Sequence, residues 1–90
     1  AALATRGIRL RDVNWLTRPG GSFDCAVKVR STRPPVAACV APSADGGADV
    51  ELLEPEESVA PGQACVFYDG SRVVGGGWIA RAEAHREAAE

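Results

Sequence analysis

Apolar and polar residues alternate along this chain in short runs, and proline or glycine cuts each run off before a helical period can build. Phe23, Cys25, Val27 and Val29 alternate with Asp24, Ala26, Lys28 and Arg30, the two-residue period of a strand with one buried face. Ile8 and Leu10 alternate with Arg9 and Arg11 and lead into Val13 and Trp15, before Arg18-Pro19-Gly20-Gly21 closes the segment. Pro34 and Pro35 precede a third run, Val36 to Ala41, and Asp45-Gly46 provides the reversal that makes a hairpin with Asp49 to Leu53. Glu54 to Gly62 reads as a solvated loop whose Pro61-Gly62 turn delivers the chain to Gln63. Gln63 to Tyr68 and Arg72 to Ile79 then form a second hairpin about Asp69-Gly70. Six strands at this spacing predict an all-β fold, a small six-stranded antiparallel barrel that closes to hide its edges. The barrel is expected over residues 1–80, and residues 81–90, rich in Ala, Glu and Arg without an apolar stripe, are expected to be a disordered tail.

Ninety residues allow one hydrophobic core but leave little room for a deep catalytic cleft. The longest unbroken apolar stretch, Val36 to Ala41, is far too short to span a membrane as a helix. The first residues carry no secretory signal and read as a cut inside a longer chain. Three cysteines, an odd count, fit a reducing compartment, so the cytoplasm is expected, with Cys25, Cys39 and Cys65 acting as small buried apolar groups.

Little in the chain supports catalysis. Gly75-Gly76-Gly77 lacks the lysine, hydroxyl and following helix of a phosphate loop, and marks a bulge or close strand crossing instead. Ser22, Ser31, Ser58 and Ser71 have no base to activate them, since the single histidine, His85, belongs to the tail. Glu54, Glu56 and Glu57 read as exposed groups with no burial to separate their acidities. No metal ligand spacing is present, and neither a catalytic residue nor a cofactor is expected in these residues.

Charge is more informative, because the net of −2 hides +5 over residues 1–40 and −7 over the remainder. A folded domain can gather cations on one surface and meet phosphates there, since salt limits the reach of distant carboxylates to about 8–10 Å. Lys28 and Arg30 lie two apart on the outward face of the second strand, about 6.6 Å along it, a spacing that suits successive phosphates. Ser31 and Thr32 add hydroxyl donors, and Arg33 adds a planar fork beside the stiff Pro34-Pro35 pair. The expected role is docking of a nucleic-acid backbone. Tyr68 and Trp78 are expected in the core, not on bases.

Three blocks carry a family resemblance: Val13-Asn14-Trp15; Cys25-Ala26-Val27-Lys28-Val29-Arg30; and Ala60-Pro61-Gly62-Gln63-Ala64-Cys65-Val66-Phe67-Tyr68-Asp69-Gly70 followed by Val74-Gly75-Gly76-Gly77-Trp78-Ile79. Together they resemble the C-terminal barrel of the bacterial tRNA-specific 2-thiouridylases, from about Leu3 to Ile79. The resemblance implies a barrel similar to those of elongation factor Tu, which helps hold tRNA while other domains work. In the family an ATP-using PP-loop domain adenylates the wobble uridine and cysteines outside this segment deliver persulfide sulfur. It also implies tRNA contacts at Arg30, Ser31 and Gln63, with Ser31 standing where the family carries tyrosine. The implied partners are tRNA and the remaining domains of the parent enzyme, with no membrane and no metal. Two other readings stay open: a structural barrel that packs on its catalytic domain with little RNA contact, and a translation-factor-like barrel, which the third block disfavours.

Overall fold

The computed structural model describes residues 5–29, 33–57 and 59–84, and the fold is all-β. Six strands follow one another: β1 (Thr5–Trp15), β2 (Phe23–Lys28), β3 (Val36–Pro42), β4 (Ala48–Glu56), β5 (Ala64–Asp69) and β6 (Arg72–Ala84). They close into a barrel in the order β1-β4-β3-β2-β5-β6, every pair antiparallel. β1 is hydrogen-bonded on both sides, to β4 and to β6, so the ring has no free edge.

The alternation read from the sequence is the alternation of burial. Leu10, Val27, Val40, Leu52, Phe67 and Ile79 are fully buried, and Trp15 packs edge-on to Phe23, with ring centroids 5.9 Å apart, and tilted over Phe67 at 5.2 Å. Both expected hairpins form, β3 with β4 and β5 with β6. In the second, Asp69 pairs with Arg72, so the turn residues are Gly70 and Ser71, one position later than expected, with Gly70 at φ 65°. The Pro61-Gly62 turn also forms: the Gln63 N–H donates to the Ala60 carbonyl at 3.3 Å, and Gly62 takes φ 92°, which a side chain would strain.

Two elements run further than the sequence predicts. β6 continues to Ala84, because its last residues pair with the first of β1, Ala82 opposite Ile8 and Ala84 opposite Thr5. Partnering by β1, which the sequence does not display, turns the first part of the expected tail into strand; residues 85–90 lie outside the described residues. β4 likewise extends through Glu54 and Pro55 to Glu56, where a loop is expected. Residues 52–55 stand opposite Arg6 alone in the β1 register, so Pro55 falls in an irregular stretch of that ladder and its missing N–H is tolerated.

The three glycines lie mid-strand. A Cβ on Gly75 would stand 2.7 Å from the Asn14 carbonyl oxygen, one on Gly76 2.8 Å from the Cys65 carbonyl oxygen, and one on Gly77 2.8 Å from Val13. Bare backbone is what lets β1 and β5 approach β6 this closely, which is the close crossing the sequence suggests.

Candidate nucleic-acid interface

Antiparallel closure sorts the strand ends. The starts of β1, β3 and β5 and the finishes of β2, β4 and β6 share one end of the barrel, and that end collects Lys28, Arg33 and Gln63. Lys28 is the last residue of β2, half-buried on the outer face opposite Val66 of β5. Its partner strand β5 begins two residues before Val66, at Ala64, and Gln63 immediately precedes it. Gln63 is half-buried; its Oε1 accepts a hydrogen bond from the Ala60 N–H at 3.1 Å, and its carbonyl accepts from Ile79 at 2.8 Å. The amide is thereby tied to its own turn, with its Nε2 still a donor. Arg30, Ser31 and Thr32 lie outside the described residues.

Arg33 is not a bare cation. Its Nη2 stands 3.5 Å from Glu56 Oε2, and Glu56, expected to be solvated, is buried, its side chain only 10% exposed. The correction has the same cause as the longer β4: the strand carries Glu56 into the barrel end opposite Thr5 instead of releasing it to a loop. Glu54 and Glu57 are exposed nearby in the chain, so this end mixes both signs of charge.

The polar grouping around Asp45 is internally matched. At the opposite end Arg9 binds Asp45 at 2.5 Å and Asp49 at 3.4 Å, and Asp45 also accepts from Ser43 Oγ at 2.6 Å and the Gly47 N–H at 3.0 Å. Those donors, Ser43 first, hold the Asp45 carboxyl down to about 2. A depression of about 500 Å³ on the outer face is lined by Arg6, Arg9, Asp49, Glu51 and Glu83, and in it Arg9 is paired with Asp49 while Arg6 donates to the Leu53 carbonyl at 3.4 Å.

The thiols are poor nucleophiles. Cys65 is buried and its acidity falls to a pKa of about 12; desolvation likewise pushes half-buried Cys25 to about 11 and raises Cys39, where Asp24 adds to the effect. Full burial, expected of all three, holds for Cys65 alone. Among the described residues no three His, Cys, Asp or Glu groups cluster to hold a metal. The glycine run does not fit ATP either, since Gly75–Gly77 is paired strand covered by Val13 and Trp15.

Sequence reasoning misplaced two aromatic residues. Tyr68 and Trp78, expected in the core, lie on the outer face of β5 and β6; Tyr68 is half-buried and Trp78 is 47% exposed. The inward places next to Trp78 belong to Gly77 and Ile79, a parity that the glycine run hides from a hydrophobicity reading.

Comparison with known proteins agrees with this architecture. Residues 5–79 match the family of aminomethyltransferase β-barrel domains. Similar curated proteins include the tRNA-specific 2-thiouridylase MnmA of Ruegeria pomeroyi, 58% identical over 88% of this chain and 23% of that protein. Those of Dinoroseobacter shibae, 56% identical over 89% of the chain and 22% of the protein, and Parvibaculum lavamentivorans, 55% over 91% and 23%, are comparable. This chain thus spans less than a quarter of the length of these relatives. It belongs to the aminomethyltransferase β-barrel domain family, and its homologues are tRNA-specific 2-thiouridylases.

Proposed function

We propose that this chain is the barrel domain of a tRNA-specific 2-thiouridylase and that its task is to hold the tRNA by its backbone. The observation that carries the reading is the identity of more than half to 2-thiouridylases across nearly nine-tenths of the chain. Lys28, Arg30, Ser31, Arg33 and Gln63 are the proposed contacts, the cations toward phosphate and the Gln63 amide as a neutral donor. ATP-dependent activation of the wobble uridine and delivery of sulfur to it fall to regions of the relatives beyond the part matched here. The cytoplasm is the proposed setting.

Charge reversal tests this. Lys28→Glu and Arg30→Glu should each weaken binding of tRNA to this chain about tenfold and lower the slope of log affinity against log salt by about 1, with the fold intact by circular dichroism. Unchanged affinity and slope would refute docking at this end. The ion pair that Glu56 makes with Arg33 favours a second reading, in which this end packs on a neighbouring domain and meets little RNA; there the reversals would leave tRNA binding as it was.

A further inference from the structure

We propose that Trp78 is a stacking platform for an unpaired nucleobase, and that the outer face of β2, β5, β6 and β1 extends the tRNA contact beyond the barrel end; this rests on the docking reading above. The strand register fixes the geometry. One row across the face runs Lys28, Val66, Gly76, Asn14, and the next runs Ala64, Trp78, Arg11. Trp78 therefore rises from a floor of small or bare positions, at the side of a depression of about 230 Å³ lined by Asp12, Asn14, Ala64, Val66, Gly76 and Trp78.

Two features make this more than a stray exposed side chain. Gly76 cannot take a side chain without meeting the Cys65 carbonyl, so the floor beside the indole is bare for a reason in the backbone. Cations flank the indole: Arg11 is directly opposite it on β1, and Lys28 lies two strands away with an offset of two residues, about 12 Å between backbones. A short run of nucleotides bridges that gap, with a base on the indole and a phosphate at Lys28. Asp12, 2.9 Å from Arg11, tempers the charge on the β1 side and directs the phosphate to Lys28. An indole offers every base a π-face, so the contact holds without reading sequence.

The test uses this chain, tRNA, a single-stranded oligoribonucleotide of mixed sequence, and an abasic strand of equal length. Trp78→Ala should lower affinity for the base-bearing strand roughly 5- to 100-fold, the range of one base–aromatic stack, and leave the abasic strand unaffected. Trp78→Phe should restore most of the loss. Because Trp78 lies outside the core but is only 47% exposed, Trp78→Ala should lower the thermal midpoint modestly and keep the far-ultraviolet spectrum, and Trp78→Phe should move it less. Equal loss on both strands, or no loss on either, overturns the platform, and the second result leaves the face to a protein neighbour. If Lys28→Glu weakens tRNA binding while Trp78→Ala does not, docking stands and stacking falls; if the unaltered chain binds no RNA, both fall.

Discussion

Arg33 and Glu56 meet where the proposed RNA contact and the barrel interior adjoin. The carboxylate is nearly out of water, so its attraction to the guanidinium is less screened than that of an exposed pair. A cation held this way is partly withdrawn from a phosphate. Glu56→Gln keeps the shape and removes the competitor, so it should raise tRNA affinity about two- to fivefold and steepen the salt slope by about 1, as one freed phosphate contact would. An anisotropy titration at two salt concentrations reads both quantities, and a fall in affinity would mean that Glu56 orients Arg33 for the contact. Sequence could not show the pair, because a run of glutamates between prolines looks solvated until the strand that buries one of them is known.

The hairpin of β3 and β4 shows an element closed by side chains as well as backbone. Asp45 gathers the Ser43 hydroxyl, the Gly47 N–H and the Arg9 guanidinium, and the Val13 N–H donates to the Gly46 carbonyl at 3.0 Å, fastening the turn to β1. The folded carboxyl titrates at about 2 against an ordinary 3.8, so below pH 4 the unfolded chain takes up the proton first. The stability it contributes is full above that point and is lost as pH falls through about 2. Thermal midpoints measured from pH 6 to pH 2 should therefore show the difference between the chain and Asp45→Asn shrinking across this window; a constant difference would rule out the linkage. The reversal itself was legible, since Asp45-Gly46 marks a turn and Gly46 takes φ 90°; that the loop spans residues 44–46, closed by the Ser43 N–H on the Gly47 carbonyl, was not. What Asp45 reaches was not, since Arg9 is distant in sequence and is brought there by the β1–β4 ladder. The same limit explains the other misses. Strand existence followed from local alternation, while the ends of β4 and β6 and the outward parity of Trp78 depend on which strand lies alongside.

At the scale of the molecule, one ring of strands accounts for both the core and the grouping of Lys28, Arg33 and Gln63. The core comes from inward residues of all six strands, so removing a large one weakens the entire ring. Thr5 faces Ala84 across the β1–β6 ladder. The polypeptide accordingly starts and finishes its circuit at a single spot, and the circuit can be cut elsewhere. A circular permutant joining residues 5 and 84 through a short Gly/Ser linker and opened between Gly70 and Ser71 should keep its far-ultraviolet spectrum and a cooperative melt. Loss of cooperativity would mean that the native order of synthesis is needed to assemble the ring. In such a rewired chain the new ends lie at the pole away from Lys28 and Gln63, so a tether or fluorophore could be attached there without crowding whatever the other pole receives.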